Sequence, residues 1–318
     1  MIANSPLRYP GGKARMLSLV ASLIRKNRLI RPDYAEPYAG GCGLALGLLY
    51  GGYVDHVHLN DIDPGIWAFW NSVLDYCDEF VALVKKAPVT VEEWHRQKEI
   101  ALAADLHDPL SLGFATFFLN RTNRSGIIKG AGVIGGFAQN GKYSMDCRFN
   151  RDDLVRRIKR VRKYRSRIHI HRLDAIAFLN NSSYFEQETF FAIDPPYFRK
   201  GPCLYTSFYK PEDHADVAIA VRELQHPWIV TYDTANEIRR LYRGFRQYEF
   251  DITYSVQSKR LATEVLIVSK GLRVTSAIRD RRISDAVSQT ESKCRTTPST
   301  GTGSIPTLRS SLTRGRCG

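Results

Sequence analysis

Apolar and polar positions along the 318-residue chain follow two periods. Short apolar runs bounded by turn residues fit buried strands, and longer stretches with apolar residues three and four apart fit amphipathic helices. The strand-like segments are Tyr34-Ala35, His56-Val57-His58-Leu59, the stretch around His169 and His171, Thr189-Phe190-Phe191-Ala192-Ile193 and Trp228-Ile229-Val230-Thr231. Helical spacing predicts helices at Met16–Ile24, Leu44–Leu49, Pro64–Lys86, Val91–Ala104, Leu110–Asn120, Pro211–Leu224 and Ala235–Tyr242. Another begins at Arg151, with Leu154, Val155, Ile158 and Val161 as its stripe and Asp152 and Asp153 in its first turn, where the helix dipole favours acids. Residues 245–254 and 263–269 read as a closing antiparallel pair. Between 126 and 141 six glycines break every pattern, which predicts hairpins and loops.

Composition narrows the field. Apolar residues make up 43%, enough for a real core. No run approaches the ~18 apolar residues of a membrane span, and the N-terminus lacks a basic-then-apolar signal, so a cytoplasmic protein is expected. The six cysteines (42, 77, 147, 203, 294 and 317) form no C-x-x-C pair, which argues against disulfides and zinc. His56/His58 and His169/His171 lack a third ligand at suitable spacing, so no metal is expected.

Net charge is +14, which favours a polyanionic partner. Residues 275–318 hold eight Lys/Arg against three Asp/Glu among Ser, Thr and Gly, and are expected to form a basic disordered tail. Nine basic residues lie between Arg151 and Arg167, among them Arg156, Arg157, Arg160 and Lys163. They fit a solvated helix face, and they equally fit a helix that contacts phosphates.

Candidate chemistry sits at the ends of the predicted strands. Asp194-Pro195-Pro196-Tyr197 follows the strand at 189–193, and in an open α/β sheet the carboxyl edge binds ligands. Two prolines make a stiff, acceptor-only turn. A carboxylate and a Pro carbonyl there suit both hydrogens of a planar exocyclic amine, and the tyrosine ring suits the base that carries it. An ordinary Pro-Pro loop fits the same four residues. Glu36-Pro37-Tyr38-Ala39-Gly40-Gly41-Cys42-Gly43 reads as strand, glycine turn and helix start, where a nucleotide-like ligand approaches backbone. Position 46 is Leu, so the G-x-G-x-x-G dinucleotide fingerprint fails. Asp61 stands after the next strand, where an acid grips a ribose. Arg8-Tyr9-Pro10-Gly11-Gly12-Lys13 opens the first helix and lacks the phosphate-loop spacing. In the glycine-rich region, Arg121, Asn123, Arg124 and Gln139 are side chains of the kind that read base edges; a plain glycine loop also fits.

The order of these segments resembles the Dam-like class of adenine-N6 DNA methyltransferases over roughly residues 4–270. Tyr9–Lys13 matches that family's Tyr/Trp-x-Gly-Gly-Lys, Glu36–Gly43 its methyl-donor turn, Asp61 its acid and Asp194–Tyr197 its Asp-Pro-Pro-Tyr. Cys42 departs from the commoner Phe-x-Gly-x-Gly-Ser turn but is small enough for binding to survive. The resemblance implies an α/β fold with a doubly wound, mostly parallel sheet carrying a reversed strand near its C-terminal end. Residues 1–69 and 166–274 are then the S-adenosylmethionine-binding catalytic domain, and 70–165 a helical and loop insert for target recognition. It also implies base flipping, with Asp194 and Pro195 holding the adenine amine in the turn completed by Pro196 and with Tyr197 stacking the base. Tyr9, Lys13, Glu36, Gly40, Gly41, Gly43, Asp61 and Asp194 would line the donor site. Double-stranded DNA is the implied partner. The alternatives are an RNA adenine methyltransferase and a catalytically inactive DNA-binding module.

Overall fold

The computed structural model of the chain describes residues 5–8, 13–185, 187–198, 209–255 and 259–279. After a 3₁₀ turn at Lys13–Met16 the elements run α1 (Leu17–Lys26), β1 (Asp33–Glu36), α2 (Gly43–Tyr50), β2 (Val57–Asn60), α3 (Pro64–Asp75), α4 (Cys77–Lys86), α5 (Val91–Ala103), α6 (Pro109–Thr122) and α7 (Arg151–Arg162). There follow β3 (Ile168–His171), α8 (Ala175–Leu179), β4 (Thr189–Ile193), α9 (Pro211–Glu223), β5 (Trp228–Asp233), α10 (Asn236–Leu241), β6 (Arg246–Ser255), β7 (Lys259–Val268) and α11 (Ser276–Arg279).

Among the described residues the strands form one sheet in the order β3-β2-β1-β4-β5-β7-β6. Strands β3 through β5 in that order pair in parallel, while β7 runs antiparallel to β5 and β6 antiparallel to β7. Chain order runs outward from β1 to β3, then returns to β4 on the other side of β1. The β1/β4 boundary is thus the topological switch point, the place where open α/β sheets bind ligands.

Strand residues alternate between two buried clusters. Tyr34, Phe190, Ile229 and Leu266 pack with α1 to α7, whereas Ala35, Phe191, Val230 and Val265 pack with α8, α9 and α10. Helices therefore cover both faces, as the doubly wound expectation requires. Several helix starts follow local rules. Asp63 accepts the Gly65 and Ile66 amides before Pro64 opens α3, and Asn150 accepts the Asp153 amide at the start of α7.

Four sequence expectations change. The helix predicted over Pro64–Lys86 breaks at Tyr76, whose φ of −123° and ψ of 42° leave the helical region. Its apolar positions (69, 70, 73, 74, 77, 80, 81, 84) keep helical spacing across the break, so periodicity does not reveal it. The proposed insert boundary at 69/70 falls inside α3, and Trp70, Phe117 and Ile158 share one buried cluster with strand residues Val57 and Phe190. The glycine-rich region holds 3₁₀ pieces and one isolated Asn123–Val133 bridge rather than ladder hairpins. In the stretch assigned to the tail, α11 is ordered and Ile278 is buried in the same cluster as α1; residues 280–318 lie outside the described residues.

Candidate active site at the switch point

The turn after β1 is fixed on several sides. Gly40 has φ +47°, a left-handed backbone that glycine adopts without strain. Its N–H donates to Asp61 Oδ2 at 2.9 Å, and its carbonyl accepts from Trp70 Nε1 at 2.9 Å. Asp61 Oδ1 accepts the Asp63 N–H at 3.0 Å, so each carboxylate oxygen holds one backbone amide. Burial pushes the Asp61 carboxyl up to about 6 against those two amides. Asn60 Nδ2 donates to the carbonyls of Pro37 and Leu173, both at 3.0 Å, and ties the turn to the segment after β3. Gly41 is buried in the turn, and Cys42 takes φ +50° before α2. At Gly43 a Cβ would lie 3.2 Å from Ala14 Cβ, so the bare glycine lets α2 start against the 3₁₀ turn. Glu36 accepts the Tyr34 hydroxyl at 2.8 Å and the Ala45 amide in the first turn of α2, and burial pushes its carboxyl up to about 8.

Across the β1/β4 boundary, Asp194 Oδ1 receives the Thr231 hydroxyl at 2.7 Å and lies 3.2 Å from Lys13 Nζ. Asp194 Oδ2 has no protein partner among the described residues. The Asp194 side chain is 29% exposed, while that of Lys13 is 9% exposed. Lys13 Nζ also donates to Glu264 Oε2 at 2.8 Å and to the Tyr197 hydroxyl at 3.2 Å. The Tyr197 hydroxyl in turn donates to Glu264 Oε1 at 2.6 Å. Burial works to lower Lys13, yet Asp194 and Glu264 outweigh it and hold the ammonium above the usual lysine value. Burial lifts the Glu264 carboxyl above the usual range despite the pull of Lys13. Pro195 is buried and Pro196 half-buried between these groups. Of the Tyr9–Lys13 motif, Lys13 is described and Tyr9 lies outside the described residues.

Thr231 and Glu264 belong to this cluster, and sequence reasoning missed both. The available signal was faint: Glu264 is a lone acid directly before the apolar run Val265-Leu266-Ile267-Val268.

The candidate DNA-reading residues separate into two groups. Asn123 is 1% exposed; its Oδ1 accepts from Trp94 Nε1 at 2.6 Å and its Nδ2 donates to Ile127 O at 2.8 Å. Gln139 Nε2 donates to Ile134 O at 2.8 Å, and its Oε1 accepts the Met145 amide at 2.9 Å. Arg121 is buried, donates from Nε to Arg148 O at 2.7 Å, and is held below the ordinary arginine value by burial and by Arg8. Asn123 and Gln139 thus spend their amides on bonds within the protein, and Arg121 is buried with its Nε engaged, so all three brace the fold where the sequence suggested base-reading side chains. Arg124 is exposed and has no ion pair among the described residues.

The basic helix divides similarly. Leu154, Ile158 and Val161 are fully buried, each worth roughly 1.5–3 kcal/mol of apolar burial. Arg157 pairs with Asp153 and donates to Ser5 O at 3.1 Å, so it too supports the fold. Arg151 reaches Ala87 O at 2.7 Å and the Val84 carbonyl, satisfying the C-terminal end of α4. Arg156, Arg160 and Lys163 are exposed, with Arg156 paired to Asp153 and the Arg160 guanidinium 3.9 Å from the Tyr50 ring centre.

His58 on β2 and His169 and His171 on β3 stack with His56, which directly precedes β2, and the His58 and His169 ring centres are 4.7 Å apart. Burial and the neighbouring imidazoles push His169 and His171 down to about 4. Among the described residues no three His, Cys, Asp or Glu side chains converge on a metal position.

A family model described as D12 class N6 adenine-specific DNA methyltransferase matches residues 9–256. The Retron Ec67 DNA adenine methylase of Escherichia coli is 21% identical over 274 residues, spanning 83% of this chain and 90% of its own. Among solved structures, a Pyrococcus horikoshii protein described as an RNA methyltransferase superposes with a TM-score of 0.40 at 11% identity, over 83% of this chain and 86% of its own. A Listeria monocytogenes protein described as a class I S-adenosylmethionine-dependent methyltransferase gives 0.36 at 11% identity, over 87% and 66%.

Proposed function

This chain belongs to the D12 class of N6 adenine-specific DNA methyltransferases, and we propose how its side chains divide the work of that transfer. The enzyme moves a methyl group from S-adenosylmethionine to the N6 amine of adenine in DNA. When bound, the donor supplies an electrophilic methyl on a positively charged sulfur. The protein's own task is to bring the amine to that methyl in line and to hold it there.

The glycine turn suits the donor. Each Asp61 oxygen accepts one backbone amide, and a carboxylate has about four lone-pair sites, so acceptor capacity remains for the two ribose hydroxyls. Gly40 and Gly41 let a ligand approach the backbone beside the start of α2, where the bare Gly43 seats the helix against Ala14.

The amine goes to Asp194. Its Oδ1 is held by Thr231 and Lys13, which leaves Oδ2 as the acceptor for one amine hydrogen, and the Pro195 carbonyl takes the other. That half-occupied carboxylate at the switch point is the observation that carries the reading. The Tyr197 ring, its hydroxyl anchored by Glu264, stacks the adenine. Adenine reaches this site by leaving the duplex stack, at a cost of a few kcal/mol. The exposed cations Arg156 and Arg160 of α7 and Lys163 at its C-terminal end contact phosphates of double-stranded DNA, while Arg124 is the sequence-reading candidate whose side chain makes no hydrogen bond or ion pair among the described residues.

The test is Asp194→Ala, assayed on the duplex that the wild type methylates, as identified by modification-detecting sequencing of DNA from expressing cells. Methylation is expected to fall below detection while donor and DNA affinities stay within roughly tenfold. Near-normal turnover would remove Asp194 from the chemistry. Preference for an RNA of the same sequence over the duplex would transfer the substrate class to RNA.

A further inference from the structure

Glu264 lies on β7, far in sequence from every motif described above, and its side chain is 3% exposed. A carboxylate buried at the head of an apolar strand is costly unless both oxygens are bonded. Both are, and each partner belongs to the amine site. Oε2 accepts from Lys13 Nζ at 2.8 Å and Oε1 from the Tyr197 hydroxyl at 2.6 Å. The β5/β7 register sets Glu264 opposite Asp233, two residues beyond the Thr231 that bonds Asp194. One antiparallel pair of strands therefore supports both sides of the site.

We infer that Glu264 is a positioning residue for methyl transfer: it draws the Lys13 ammonium and the Tyr197 ring into place, so that Asp194 keeps its accepting power for the adenine amine. The inference rests on the amine-holding role proposed for Asp194. Lys13 Nζ is closer to Glu264, at 2.8 Å, than to Asp194, at 3.2 Å. Charge attraction and hydrogen bonding both weaken with distance, so the ammonium's strongest bond goes to Glu264. Without Glu264 the buried ammonium would have Asp194 as its one carboxylate partner among the described residues. A closed Lys13–Asp194 pair would then compete with the amine for the carboxylate. Tyr197 would lose its hydrogen bond to Glu264 in the same step, and with it one anchor of the ring that stacks the base.

The experiment compares wild type, Glu264→Gln, Glu264→Asp, Lys13→Met and the Glu264→Gln/Lys13→Met double variant. Turnover on the methylated duplex is measured together with donor affinity by calorimetry and thermal melting. Glu264→Gln is expected to lower kcat by about tenfold or more with donor Kd within about threefold. Glu264→Asp keeps the charge with a shorter reach, and its kcat falls between wild type and Gln. Because Glu264 acts partly through Lys13, the double variant loses clearly less than the product of the two single losses. A Glu264→Gln kcat within about twofold of wild type overturns the inference, as does a double variant whose loss is the full product. Should Glu264→Gln fail to fold, Glu264→Asp decides: wild-type kcat in that variant overturns the inference. A wild type that methylates no DNA adenine would instead sink the functional reading, and the positioning role with it.

Discussion

Thr231 is 2% exposed within β5, and among the described residues its hydroxyl makes one hydrogen bond, 2.7 Å to Asp194 Oδ1. Valine matches its shape without the hydroxyl, so Thr231→Val isolates that bond. A hydrogen bond to a charged group is worth about 1.5–3 kcal/mol, and part of that loss falls on the amine-holding geometry. We expect kcat to drop about tenfold with unchanged donor affinity; an unchanged kcat would mean that Lys13 alone orients the carboxylate. Glu36 tests the neighbouring turn through pH. Its carboxyl ordinarily titrates near 4.5 and is pushed up to about 8 by burial. The folded state therefore holds a proton that the unfolded state has lost between those values. Its contribution to stability is full below about 4.5 and declines as pH rises toward about 8. Glu36→Gln mimics the protonated form and removes this decline. Its melting temperature relative to wild type should climb from pH 5 to pH 8, and a constant difference would show that Glu36 is ionised in the fold.

At the scale of elements, α7 shows how much a pattern conveys. The stripe Leu154, Ile158 and Val161 was legible and is fully buried, and the acids of the first turn stand where the dipole favours them. The fate of each cation was not legible, because Arg157 and Arg156 differ in position by one residue and in surroundings by a whole face. Arg157 turns inward to Ser5 O, whereas Arg156, Arg160 and Lys163 face solvent. Neutralising any one of Arg156, Arg160 or Lys163 should weaken binding alike on all duplex sequences and lower the salt slope by about one unit. Arg157→Ala should lower the melting temperature instead. A change of sequence preference in the three exposed mutants would transfer base reading to the helix. Asn123 and Gln139 teach the same lesson in the glycine-rich segment. Amide side chains advertise a capacity for two-pronged hydrogen bonding, but the chain itself took up that capacity with Trp94, Ile127 and Met145.

Over the whole molecule, local pattern located Asp194 after β4 and the glycine turn after β1, and parallel pairing brings those strand ends to one edge. Glu264 was beyond reach because its partner Lys13 is 251 residues away, and no local period encodes which strand closes the sheet. The C-terminal limit is a similar case. Composition marks everything after 274 as polar and basic, yet Ile278 joins the buried cluster of α1 together with Leu272 and Val274, and upstream of it the Arg273 N–H donates to Asn27 Oδ1 at 2.7 Å. The useful truncation therefore ends at Arg279. A chain of residues 1–279 should melt like the full chain and bind the donor equally. A chain of residues 1–274 loses Ile278, 7% exposed, and should be less stable by about 2 kcal/mol. Residues 280–318 carry seven Lys/Arg against three Asp/Glu. If those charges meet phosphates, the 1–279 chain binds DNA more weakly at low salt and with a flatter dependence on salt, for every sequence alike. An identical salt slope in the two chains would confine the DNA-binding charge to the folded unit, with the exposed cations of α7 as its leading carriers.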